Sequence, residues 1–361
     1  MRIMNVLTSD IRKIGRESLF LHVGGNIPRM GEGTFIRLRD RSVMFAYTSF
    51  TGDLAGDDCP ADIAAVVSTD EGESWSVPRI LLQHDESSRN LMCPSLFRLK
   101  SGKIGMLLDR KEGGDCIPYF SVSADEGRTF SPPRPCIDGH GVYVFENDHA
   151  VVLQSGRILV PLNRHDTADG AFSYYGRMLM LASDDDGETW NIISEEIASP
   201  FSCEVTAAGL QETAVYQLPD GTVRGICRTD LGSQWECFSK DDGATWSAPV
   251  PNRFFSGPDA PLLMKDAGPF TVAVFCSMPH FTARNEARTW GRTPIVAAVS
   301  DDKGKTFSRV FYLEDDLANG YCYPAIFDGG DYMLVSYYHS DDLDCPLRST
   351  RILKIAYSEL V

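Results

Sequence analysis

No stretch of this 361-residue chain comes near the roughly 18 consecutive apolar residues of a membrane-spanning helix, so none is expected. Residues 1–17, MRIMNVLTSDIRKIGRE, lack the apolar core and small-residue cleavage site of a secretory signal. Basic residues are scarce as well. Thirty-four Lys and Arg stand against 50 Asp and Glu, a formal net charge of −16 that argues against nucleic acid or anionic membrane as a partner. A small anionic ligand stays open, because a few arginines converging in a cleft reverse the potential locally. The ten cysteines never form a CxxC pair or a Cys/His cluster at zinc spacing, and the seven histidines show no HExxH. No metal and no cofactor is therefore expected. Several cysteines sit inside apolar runs, such as Cys227 in Gly225-Ile226-Cys227 and Cys276 in Val274-Phe275-Cys276, and read as buried free thiols. That fits a cytoplasmic protein, or an exported one whose signal has been removed.

What the chain does contain is a repeat. The pattern Ser-x-Asp-x-Gly-x-(Ser/Thr)-(Trp/Phe) occurs at 68–75, 123–130, 183–190, 239–246 and 300–307, so its copies begin 55 to 61 residues apart. A β-rich run precedes each copy, as in Ala64-Ala65-Val66-Val67. The pattern suits a tight hairpin in which Asp and Gly take the unusual turn dihedrals and the aromatic residue folds back over the sheet. Upstream of each copy lies a second turn signal: Arg39-Asp40-Arg41, Lys100-Ser101-Gly102, Gln154-Ser155-Gly156, Pro219-Asp220-Gly221 and Asp266-Ala267-Gly268. A sixth, Asp328-Gly329-Gly330, follows the last copy. Two hairpins per period make four antiparallel strands, and six periods predict an all-β, six-bladed β-propeller spanning residues 1–361 as one domain. The last period has a strand in 349–358 but no turn pattern, so Ser18–Val23 is expected to complete it.

The repeat is similar to the Asp box of the sialidase (neuraminidase) superfamily, and the resemblance covers nearly the whole chain. It implies structural roles for Asp70, Asp125, Asp185, Asp241 and Asp302. Function has to be read from the site. In a four-stranded antiparallel blade the repeated turns follow strand 3, so site residues belong at the other rim: before strand 1, after strand 2, or before strand 3. Glu212 and Arg228 lie eight residues either side of Asp220, and folding that hairpin brings them together there. Their run resembles the family's Glu at the head of the inner strand followed by its Arg; a plain ion pair is the other reading. Arg292 precedes strand 3 of the fifth period and matches the family's third arginine, with Arg284 and Arg288 as rivals. Arg29 stands near the family's first arginine, although the Arg-Ile-Pro order becomes Ile27-Pro28-Arg29 here. Arg37 and Arg39 read as solvated. Three guanidinium forks converging on a carboxylate form charge-assisted bonds and would repel one another without an anion.

Tyr323 heads the inner strand of the sixth period and resembles the family's tyrosine nucleophile. Tyr321, two residues earlier, shares its face if the strand is regular. A neutral nucleophile suits an anomeric carbon that carries its own carboxylate, and Glu212 would take the phenolic proton. In the loop Gly52–Ile63, Asp58 fits the family's acid best by distance to the strand, with Asp57 close behind. Asp148, Arg110 and Asp259 are further rim candidates for specificity. The resemblance implies a retaining exo-glycosidase that removes terminal sialic acid or a related 2-keto acid sugar from acidic glycans. Another glycosidase or lyase, or a carbohydrate-binding propeller without catalysis, is compatible with the same sequence.

Overall fold

The computed structural model describes residues 11–86, 88, 90–168, 171–277, 288–342 and 345–361, less the side chains at 168, 288 and 289. Apart from two short 3-10 turns at Arg288–Gly291 and Tyr357–Leu360, its regular structure is all β. Each period of the repeat forms a four-stranded antiparallel meander. The first is Met30–Arg37, Val43–Phe50, Ala61–Ser68 and Arg79–Leu82. The fourth is Gln211–Gln217, Val223–Arg228, Ser233–Ser239 and Val250–Ser256. The fifth is Leu263–Ala267, Phe270–Cys276, Ile295–Ser300 and Arg309–Glu314. The sixth takes Gly320–Asp328, Tyr332–Ser340 and Ser349–Ala356, and its outer strand is the N-terminal Arg16–Leu21, antiparallel to Ser349–Ala356. That strand begins two residues before the expected Ser18.

The second and third periods are not separate sheets. Asn90–Arg98, Ile104–Glu112, Asp115–Ser123 and Arg134–Pro135 form one meander; Val151–Val152, Ile158–Ala168, Ala171–Ser183 and Asn191–Ile192 form the next. The connecting segment Val142–Val144 is itself extended. It pairs in parallel with Asp115–Ser123 and antiparallel with Ile158–Ala168, fusing the two into nine strands. Five sheets thus stand where six were expected.

The repeated turn is held by its own polar side chains. Ser68 Oγ donates to Asp70 Oδ1 (2.8 Å) and accepts from Gly72 N (2.7 Å), while Ser74 N donates to Asp70 Oδ1 (2.9 Å). The same three bonds recur in the other four copies. The left-handed backbone falls on the Gly and on the residue before it (Glu71 at φ 63°, Gly72 at 83°), and not on the motif Asp as expected, because that Asp serves as the hydrogen-bond acceptor. Glycine is required here by space as well. A Cβ at Gly187 would lie 2.5 Å from the Phe120 ring of the preceding unit, and at Gly127 it would meet Met44 at 2.6 Å. Trp75, Phe130, Trp190, Trp246 and Phe307 pack onto the apolar clusters between units.

These bonds make the fold acid-sensitive. The hydroxyl and backbone N–H donors at the fourth residue after each motif Asp pull Asp70, Asp125, Asp185 and Asp302 down to about 2. A carboxyl lowered in the folded state stabilises it above the unfolded value and ceases to do so as pH falls through the folded one. Melting temperature is therefore expected to drop between pH 4 and pH 2, and the drop should be shallower in Asp125→Asn. Equal slopes in the two proteins would contradict this assignment.

In four of the six units the first strand carries the feature that matters most for the site. Glu32, Cys93, Glu212 and Tyr323 all have positive φ (50°, 54°, 40° and 53°). Each lies where the pairing of its strand slips, between Gly31 and Thr34, Met92 and Ser95, Gln211 and Ala214, and Cys322 and Ala325. Such a bulge breaks the period-2 alternation and re-aims a side chain. These strands pack side by side: Met30–Arg37 lies against Asn90–Arg98 and Gly320–Asp328, and Leu263–Ala267 against Gln211–Gln217 and Gly320–Asp328. Residues 147–149 of the third unit sit among them. Asn147 Nδ2 donates to Gly33 O (2.7 Å), and Asp148 accepts from Thr34 Oγ1 (2.8 Å), Ile326 N (3.1 Å) and Lys265 Nζ (2.6 Å). Asp148 thus ties the third unit to the first, fifth and sixth, and is a buried cross-link instead of the rim residue expected.

Candidate active site

At the end of the units opposite the repeated turns lies a cavity of about 880 Å³. Arg29, Arg228, Arg292, Glu212, Tyr323, Asp57, Asp58 and Asp259 all line it. They come from the first, fourth, fifth and sixth units, so tertiary structure brings them together.

Glu212 and Arg228 meet as the hairpin predicts: Gln211 pairs with Arg228, and the bulge at Glu212 turns its carboxylate onto the guanidinium in an ion pair. Tyr323, at the matching bulge of the sixth unit, donates its hydroxyl to Glu212 Oε1 at 2.9 Å, with Arg228 Nη1 3.4 Å from the same hydroxyl. Arg228 Nε bonds Asp259, whose other oxygen accepts from Tyr174 OH (2.6 Å). Burial, then the neighbouring Glu212 charge, pushes the Tyr323 phenol well above its usual range, so it rests protonated.

Arg292 enters just before Ile295–Ser300. Its Nε and Nη2 donate to the Asp259 carbonyl (3.2 and 3.0 Å), Nη1 lies 3.4 Å from Cys322 Sγ, and the guanidinium sits over Tyr323 and Trp290. It makes no ion pair among the described residues. Arg29, immediately ahead of Met30–Arg37, is 2 % exposed. It donates to Tyr338 OH (2.8 Å) and the Ala55 carbonyl (3.2 Å), and forms ion pairs with Glu32 and Asp57. The expected self-repulsion of the cluster is thereby corrected: Arg29 and Arg228 each carry their own carboxylates, and Arg292 alone is left to a neutral carbonyl.

Asp57 and Asp58 diverge. Asp57 reaches in to Arg29. Its side chain is 59 % exposed, but the carboxyl end packs against the cavity wall; that packing would raise the carboxyl, and Arg29 and Lys111 outweigh it and hold it below the usual range. Asp58 is 73 % exposed, with Lys111 Nζ 4.0 Å away. Tyr321 does not share the face of Tyr323. The intervening bulge breaks the alternation, and the Tyr321 ring packs on Tyr337 and His339 with its hydroxyl on the Asp316 carbonyl (3.2 Å). Arg110 pairs outside the cavity lining with Asp85 and Glu112 and stacks on Tyr119. Arg284 and the side chain of Arg288 lie outside the described residues.

Sequence reading missed Glu32, Asp109, Glu146 and Tyr174, all of which line the cavity. Glu32 left a signal: it stands eight residues before the turn residue Asp40, as Glu212 does before Asp220. Glu146 and Asp109 left none, since only burial gives them a role. Both are pushed well above the carboxylate range, in each case chiefly by burial.

Residues 44–337 match the BNR repeat-like domain family. A stretch of 97 residues is 31 % identical to the anhydrosialidase of Macrobdella decora; it is 27 % of this chain and 11 % of that protein, so the match spans about a tenth of the curated relative. Among solved structures, the NanB sialidase of Streptococcus pneumoniae superposes with a TM-score of 0.71 at 14 % identity, covering 97 % of this chain and 71 % of that one. A protein of unknown function from Dyadobacter fermentans gives 0.71 at 18 % identity over 94 % and 99 % of the two chains. At such identities the likeness establishes the fold.

Proposed function

From the premise that the chain belongs to the BNR repeat-like domain family and has a sialidase-like fold, we propose that it is a retaining exo-glycosidase releasing terminal sialic acid or a related 2-keto acid sugar from glycans. Its units would close as the six blades of a propeller. In support, each turn glycine packs on the unit before it, and the first strand of the sixth unit lies on that of the first.

The observation that carries the proposal is the 2.9 Å hydrogen bond from Tyr323 to Glu212, set among three guanidinium groups. Arg29, Arg228 and Arg292 receive the ligand carboxylate. The Tyr323 oxygen attacks the anomeric carbon while its proton passes to Glu212 Oε1, so the nucleophile is charged only as the bond forms. The leaving oxygen takes a proton from Asp57. We assign this role to Asp57 over Asp58 because it faces the arginines. At rest Arg29 keeps it ionised. A ligand carboxylate competing for the same guanidinium releases it, its proton affinity rises, and it takes up a proton from solvent, which it then passes to the leaving oxygen. In the second step Asp57 takes a proton from water, which attacks the glycosyl carbon, and Glu212 returns the proton to Tyr323.

The experiment is turnover of a fluorogenic α-sialoside by the full chain, with products identified by NMR. The expected result is release of the fluorophore and of the sugar in its α form first. The likeness to an anhydrosialidase allows a hydroxyl of the sugar itself to replace water, in which case the product is an internal anhydride. Absence of turnover on this and a panel of other 2-keto acid glycosides would overturn the proposal.

A further inference from the structure

We infer that Glu146 forms a second recognition wall in the cavity, hydrogen-bonding a hydroxyl or amide substituent of the ligand's sugar ring and so selecting which 2-keto acid sugar fits. This rests on the reading of the site given above and adds a specificity residue to it. Glu146 lies between the second and third units, directly before the cross-linking segment 147–149, and its side chain is 5 % exposed. It lines the same cavity as Tyr323 and the arginines. Its Oε2 is fully buried and has no hydrogen-bond partner among the described residues.

An unpartnered carboxyl oxygen in a protein interior is destabilising, and a fold gains nothing by keeping one unless something else meets it. The structure also indicates what that is. The charged neighbours of Glu146 are Glu212, Glu32 and Asp109, with Arg228 as the counter-charge. Burial, and after it this acidic company, favours the neutral form of the group. A neutral carboxylic acid offers one O–H donor and one carbonyl acceptor, the complement of a hydroxyl or an amide. It is a poor partner for the ligand carboxylate, which the guanidinium groups take. Asp109, buried beside it with Oδ1 unpartnered among the described residues and Oδ2 accepting from Phe145 N (3.3 Å), extends the same buried polar wall. The cavity is therefore two-sided, with cations for the acid function of the ligand and buried carboxyl groups for its ring substituents.

The test is isothermal titration of wild type, Glu146→Gln and Glu146→Leu with N-acetylneuraminic acid and with its analogues lacking single ring substituents (hydroxyl or acetamido). Wild type is expected to disfavour at least one analogue by about tenfold or more, the loss that follows when a buried polar group is left unpaired. Glu146→Gln, which keeps a donor and an acceptor, should preserve that preference. Glu146→Leu should flatten it to less than about threefold without loss of thermal stability, since it removes an unpaired buried carboxyl oxygen. Should the leucine variant fail to fold, Glu146→Met takes its place. An apolar variant that retains the wild-type preference would overturn the inference while leaving the proposed activity intact. Wild type that binds none of these sugars would remove the sialic acid reading itself, and this inference with it.

Discussion

Tyr323→Phe is expected to reduce kcat on a fluorogenic α-sialoside by about 10⁴-fold, the scale seen when an enzyme loses its nucleophile. Binding should be nearly unchanged. The ring, which packs edge-on to Tyr338 with centroids 6.0 Å apart and lies under the Arg292 guanidinium, is kept, and only the hydroxyl goes. Glu212 remains held by Arg228 after the substitution, so no buried charge is stranded. Comparison of kcat with the affinity for free N-acetylneuraminic acid separates the two effects. A loss below tenfold in kcat would show that another group attacks, and a parallel loss of affinity would make Tyr323 a binding residue.

The arginines are expected to divide sharply by what they hold at rest. Arg292→Ala should lower kcat/KM by about 10²- to 10³-fold, the worth of two hydrogen bonds between charged groups, with little change in stability. Among the described residues its contacts are carbonyl, sulfur and ring atoms, so its removal strands no carboxylate there. Arg29→Ala should abolish activity and also destabilise the fold by about 3–5 kcal/mol, because Glu32, itself 3 % exposed, loses its buried counter-charge. Steady-state kinetics and urea unfolding of the two variants read this difference. Equal destabilisation would mean that Arg292 is as much a structural ion as Arg29.

Much of this was legible in the sequence because a turn that must satisfy its own backbone leaves little choice of residue. Five copies of one polar-glycine pattern gave the period, and strand count followed. The sixth unit lacks the pattern because its outer strand, Arg16–Leu21, arrives from the other end of the chain and needs no turn there. Glu212 and Arg228 could be paired from their symmetric distance to Asp220, since hairpin register is local. What failed was whatever depends on bulges or burial. Tyr321 looked equivalent to Tyr323 on a regular strand, but a positive φ at Tyr323 is set by packing and has no signature of its own. Asp57 and Asp58 are adjacent in a glycine-bearing loop, and only the folded position of Arg29 distinguishes them. Asp148 had the composition of a rim acid but the environment of a cross-link. Glu146 is one glutamate among many until the fold removes its partners and its water.

The central claim is a glycosyl bond to Tyr323, and the most direct measurement is to trap it. A 3-fluoro sialosyl fluoride slows both steps, since fluorine beside the anomeric centre disfavours an oxocarbenium-like transition state, and its good leaving group lets the first step run ahead. Intact-protein mass spectrometry should show the chain gain one fluorosialosyl unit, and peptide mapping should place it on Tyr323. No adduct should form with Tyr323→Phe. An adduct on any other residue, or one that persists in Tyr323→Phe, would contradict the account.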